Sequence, residues 1–171
     1  GGIKKSMPIA ALPTSDTDEI IKLLKEPYPQ LVKEKNVLTS DMSNNNAIIH
    51  PFPVMLNTGW IEETKGCFKF YYDGVSQTIG RMIEALDTEK MEICKALGIK
   101  VKDIKESMFE YYSASGDTMY EIVRNVKGYA IVNAPPKLDT RLLTEDIPMG
   151  LVPMTEIAKL VNVKTPIMDL A

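Results

Sequence analysis

Apolar positions recur with a helical period over most of this chain. Between residues 75 and 97, Ile79, Met82, Ile83, Leu86, Ile93 and Leu97 fall three, four or seven apart, and Gly98 follows as a natural stop. One long helix is predicted there; at about 1.5 Å per residue it would cross a small domain. A shorter helix is predicted over 103–113, with Ile104, Met108 and Tyr111 or Tyr112 inward, and another over 118–126. Near the front, Ser15 and Asp16 suit an N-cap, and Ile20, Ile21, Leu23 and Leu24 form an apolar stripe that Pro27 and Pro29 end. Near the end, Pro153 suits the first turn of a helix running to Leu160, and Thr165-Pro166 opens a last short one.

The remaining stretches break the period. "MPIAALP" (residues 7–13) reads as a buried strand, yet the chain offers it little to pair with. That implies a sheet elsewhere, or an extended arm lying on the helices. Residues 36–45 are polar and turn-rich, with a helical turn predicted around 39–45. "VMLNTGWIEET" reads as a helix weakened by Gly59. "CFKFYY" reads as a hairpin or extended segment, its aromatics as packing, and Trp60 as core. "GYAIVNAPPKLDT" is a Pro-rich connection. The prediction is an all-α helical bundle with one short strand at its front.

With 171 residues, 44% hydrophobic and 25% charged, the chain is long enough for one domain with a true core. A net charge of −3 without a basic stripe argues against a nucleic-acid partner. No apolar run reaches membrane-spanning length, and the N-terminus lacks the apolar core of a secretory signal. Cys67 and Cys94 lack metal-ligand spacing and make no disulfide framework, so reduced thiols, a cytoplasmic setting and no metal are expected. There is also no glycine-rich phosphate-binding pattern.

The single histidine, His50, lies in "NNNAIIHPFPVMLNTG". An imidazole is the natural proton donor and acceptor near neutral pH, most effective when a carboxylate fixes its tautomer. Asp146, in "TEDIP", is the candidate carboxylate, one of 23 in the chain, and only folding could bring it there. Asn46, four residues before His50, would share its face on a helical turn and orient a carbonyl. Arg141, five residues before Asp146, suits a substrate carboxylate; its plain alternative is a surface ion pair. The plain alternatives for the others are a structural histidine, a helix-capping aspartate and an asparagine-rich turn.

These residues fall within longer motifs: Asn46-x-x-x-His50-Pro51, Leu56-Asn57-x-Gly59, Asp73-Gly74, Leu86-Asp87-x-Glu89, Glu145-Asp146-Ile147-Pro148-x-Gly150-Leu151-Val152-Pro153 and Val163-x-Thr165-Pro166. In this order and spacing the chain resembles the C-terminal half of the octopine/nopaline (opine) dehydrogenase family, from about residue 7 to the end. The resemblance implies a helical domain like the C-terminal domain of 6-phosphogluconate dehydrogenase, following a Rossmann domain. Residues 1–14 would then be a linker or remnant of that upstream domain, and 15–171 the substrate-binding and catalytic domain. It further implies His50 and Asp146 as an acid/base pair, Asn46 and Arg141 as substrate-binding, and NAD or NADP bound mainly by the upstream domain. The implied reaction joins a 2-oxo acid such as pyruvate to the amino group of an amino acid by reduction.

Two other readings stand beside this one: a non-enzymatic helical module for dimerisation or ligand binding, and a 2-oxo-acid reductase on the same scaffold. The catalytic readings require His50 and Asp146 within hydrogen-bonding distance; the binding module does not. A domain parted from its neighbour would also expose apolar surface near its N-terminal arm, which predicts a homo-oligomer.

Overall fold

The structure is a computed structural model describing residues 4–171; Gly1, Gly2 and Ile3, within the predicted linker, lie outside the described residues. It is a helical body with a small arm. The arm holds β1 (Met7–Ile9), a 3-10 turn, α1 (Thr17–Leu24) and β2 (Leu31–Lys33). The body holds α2 (Val37–Met42), α3 (Asn46–Ile49), α4 (Pro51–Met55), α5 (Thr58–Thr64), α6 (Gln77–Ala96), α7 (Ile104–Tyr112), α8 (Met119–Asn125), α9 (Arg141–Thr144), α10 (Val152–Leu160) and α11 (Pro166–Leu170).

Helix α6 is the axis of the body. Ser76 caps its start by accepting from the Ile79 amide, and Gly98, at φ +67°, lets the chain turn away after its end. Ile79, Ile83, Leu86 and Ile93 are buried, as their spacing predicts. Burying each such side chain contributes about 1.5–3 kcal/mol, so this face alone commits α6 to the core. Helices α3, α4, α8, α10 and α11 all pack on it. Helix α7 begins with a capping box: Asp103 accepts from the Glu106 amide, and the Glu106 side chain accepts from the Asp103 amide.

The polar motif on α6 is structural. One Asp87 oxygen lies 2.5 Å from the Lys90 ammonium and the other accepts from the Ile104 amide, fixing the start of α7. Lys90 is fully buried and also donates to the side-chain oxygen Oδ1 of Asn45. Glu89 accepts from the Ile167 and Met168 amides, which fixes the start of α11.

Several expectations change. The front strand has a partner: β2 pairs with it in parallel, Met7 opposite Leu31. Three residues are too few to show alternation, so β2 is silent in the sequence. Helix α1 forms, but of its residues only Thr17 is buried and Leu23 is 69% exposed, because the helix rests on β2 and not on the body. Leu12, Tyr28 and Val32 are also exposed, so the arm presents apolar surface. The helix expected after Pro53 is two, broken at Asn57, whose side-chain Nδ2 donates to the Pro53 and Gly74 carbonyls. The aromatic run forms no hairpin; Phe68 and Phe70 bond across to Ala134 and Val132 around an isolated bridge, Lys69 to Asn133. Trp60 is not core: it is 42% exposed and stacked on Phe68 at 3.9 Å. Among the described residues, no helix is long and apolar enough to cross a membrane.

Candidate active site

His50 lies at the junction of α3 and α4. Its amide closes α3 on the Asn46 carbonyl, and Pro51, which has no N–H to give, starts α4. The buried faces of the two helices are Ala47, Ile48 and Ile49, then Phe52, Pro53 and Val54. They fix the backbone on either side of an imidazole that is itself only 12% exposed.

Asp146 arrives from the opposite end of the chain on a wide turn. The Asp146 amide bonds back to the Arg141 carbonyl, the Leu151 amide to Asp146 and the Val152 amide to Ile147. Each closes five residues back, so residues 147–151 form a turn of π-helix, a feature frequent at functional sites. The turn seats directly on α3. At Gly150 an added Cβ would stand 2.4 Å from the Cβ of Ala47, so only glycine permits this approach.

That seating brings the two groups together. His50 Nδ1 lies 2.6 Å from Asp146 Oδ2, and His50 Nε2 lies 2.9 Å from the Tyr71 hydroxyl. A bond this short between an imidazole and a carboxylate is charge-assisted. Because an ionised carboxylate only accepts, it places a proton on Nδ1. Burial pushes the Tyr71 phenol far above the ordinary tyrosine range; Tyr112 adds to this, a hydrogen bond with Tyr129 opposes it, and Asp146 adds a further push.

The other two predicted residues touch this pair only through their backbones, each carbonyl accepting an amide of the pair, Asn46 from His50 and Arg141 from Asp146; their side chains bond to neither. Asn46 is exposed on the first position of α3, one turn before His50. Arg141 is exposed at the start of α9 and grips Glu145 with two bonds of 3.0 Å, the surface ion pair its plain reading describes. Tyr71 is a residue the sequence did not single out. It sits in an aromatic run that reads as packing, and no spacing marks which phenol reaches an imidazole.

Neither strand leads through a glycine into the following helix: Ala10 to Asp16 follow β1, and Glu34 to Asn36 follow β2. Among the described residues, neither strand therefore opens a glycine-rich phosphate cradle of the dinucleotide-binding type.

Comparison with known proteins fits this geometry. The chain is 35% identical over 167 residues to an opine dehydrogenase of Arthrobacter sp. (strain 1C), covering 98% of this chain and 46% of the relative. It is 27% identical over 169 residues to a vitopine synthase of Allorhizobium ampelinum, again covering 98% and 46%. The chain thus spans just under half the length of these relatives. In fold it matches an octopine dehydrogenase solved with NADH and L-arginine, with a TM-score of 0.72 and 24% identity over 92% of this chain and 44% of the other. A second structure of octopine dehydrogenase, solved with NADH and pyruvate, matches with a TM-score of 0.63 and 21% identity over 92% of this chain and 42% of that one. Residues 33–171 match the profile described as NAD/NADP octopine/nopaline dehydrogenase, alpha-helical domain. The chain belongs to the octopine/nopaline dehydrogenase family, whose α-helical domain it contains.

Proposed function

We propose that this chain is the catalytic and substrate-binding part of an opine-type dehydrogenase, which reductively condenses a 2-oxo acid such as pyruvate with the amino group of an amino acid. The single observation that carries the reading is the 2.6 Å contact between His50 and Asp146 on a rigid junction. The relatives' names and the ligands in the octopine dehydrogenase structures support the substrate class.

Hydride would come from NADH or NADPH held outside the described residues. The residues here manage orientation and protons. Condensation needs a proton for the departing carbonyl oxygen and a base for the incoming ammonium group. A histidine whose Nδ1 proton is fixed on a carboxylate can serve both, through Nε2. Protonation of Nε2 makes an imidazolium that Asp146 stabilises. Arg141 would bind the 2-oxo-acid carboxylate in place of Glu145, since its planar fork fits either carboxylate. Asn46, one turn before His50, would orient substrate through its amide.

The test is NADH oxidation by the full-length protein with pyruvate and an amino-acid mixture together, then with each omitted. Turnover that requires both is expected. Turnover with the 2-oxo acid alone would replace this reading with a simple reductase. No turnover from protein shown to bind NADH would favour the binding module.

A further inference from the structure

Both ring nitrogens of His50 are engaged, and the mechanism above uses only one of the partners. The Asp146 carboxylate takes the Nδ1 proton and leaves a lone pair on Nε2. A neutral phenol has one O–H to offer that lone pair, and the Tyr71 hydroxyl stands 2.9 Å away. Its ring is held firmly. It stacks on Tyr129 with centroids 3.8 Å apart and planes 12° apart, and it meets Phe70 edge to face at 4.9 Å. Tyr129 in turn lies against Tyr112. Tyr71 is 7% exposed, so the hydroxyl reaches Nε2 from a fixed, buried ring.

We propose that Tyr71 is a positioning residue for His50: it holds Nε2 as the proton-accepting nitrogen, sets the imidazole plane together with Asp146, and yields Nε2 when a substrate carbonyl arrives. The proposal rests on the acid/base reading of His50. The two bonds are unequal. The one to Asp146 is charge-assisted and shorter, whereas the one to Tyr71 joins neutral groups. The Tyr71 bond therefore opens first. Tyr71 thus occupies the reactive nitrogen in the resting site without anchoring it.

The chain contains one histidine, so a sample labelled with ¹⁵N only at histidine gives one imidazole, with no assignment needed. In its neutral form the wild-type ring is expected to carry its proton on Nδ1 and none on Nε2. Tyr71→Phe keeps the stacked ring and removes the hydroxyl. It should shift the Nε2 resonance toward that of a free unprotonated imidazole nitrogen, while Nδ1 keeps its proton. A wild-type ring protonated on Nε2 would overturn the proposal and needs no variant. So would an unmoved Nε2 resonance in a Tyr71→Phe chain whose amide spectrum is otherwise unchanged. In the full-length protein, Tyr71→Phe should lower kcat about tenfold, the scale of one neutral hydrogen bond. The KM for the 2-oxo acid should stay the same or fall, because the competitor for Nε2 is gone. A higher KM with unchanged kcat would contradict this. Wild-type protein without dehydrogenase activity would sink the functional reading, and the nitrogen spectrum would still decide whether Tyr71 holds the imidazole.

Discussion

Two pairs in this molecule have nearly the same length and opposite surroundings. Lys90 and Asp87 meet at 2.5 Å in the interior of the body; His50 and Asp146 meet at 2.6 Å at a helix junction. The Lys90 side chain is fully buried, and Asp87 also accepts the amide that starts α7. Every strong contact of that pair goes to a structural element. His50 and Asp146 are each 12% exposed, and the second nitrogen of His50 meets only a neutral phenol. A short ionic contact therefore does not reveal a role by itself. What else its atoms hold, and whether one of them can change protonation near neutral pH, separates a staple from a site.

The sharpest way to break this comparison on the structural side is Lys90→Ala. It leaves the Asp87 carboxylate buried without its cation, and urea denaturation should show a loss of about 3–5 kcal/mol. A loss below 1 kcal/mol would mean that the interior pair is no staple. Gly150→Ala is next. Its methyl group would collide with Ala47 and push the wide turn off α3, costing about 1–3 kcal/mol. Ala47→Gly in the same protein should restore most of that, and a cycle without coupling would locate the fault elsewhere.

The aromatic neighbours give a pH test. Burial first, then neighbouring tyrosines, keep the Tyr71 and Tyr129 phenols neutral well above the ordinary range. Their stabilising contribution is complete below the unfolded value, near pH 10, and is lost as pH rises through the folded values. Above about pH 10 stability should fall by about 1.4 kcal/mol per pH unit for each such phenol. Tyr71→Phe should make that slope shallower. The smallest effect belongs to the arm. Leu23→Gln, on an exposed helix face, should change stability by no more than about 0.5 kcal/mol. A larger loss would show that α1 has a covering partner in solution.

How much of this was legible follows from range. The long helix is a local pattern, and Ile79, Ile83, Leu86 and Ile93 are buried as its spacing names them, while Met82 and Leu97 are half-buried. His50 and Asp146 are legible because one is the only histidine and the other lies in a distinctive motif. Their meeting depends on a wide turn whose extra residue per turn leaves no periodic trace over five positions. Tyr71 is silent because "CFKFYY" contains equivalent aromatics, and only tertiary folding selects the hydroxyl that reaches Nε2. The stripe on α1 reads as inward-facing, yet the arm provides nothing for Leu23 to pack against. Propensity can form a helix without supplying its partner. The Asp87 and Glu89 motif enters the sequence reading only as part of the family resemblance, and in space it is structural, because both carboxylates bind the amides that begin helices.

The measurement that tests the central claim most directly is a double-mutant cycle on turnover in the full-length protein, using His50→Ala, Asp146→Asn and the two together. If the pair acts as one acid/base unit, each single change should lower kcat by about 10²–10⁴-fold. The double variant should then be little worse than the worse single one. Losses that simply multiply, or an Asp146→Asn protein with near wild-type turnover, would show that the 2.6 Å contact is structural and that the proton chemistry lies elsewhere.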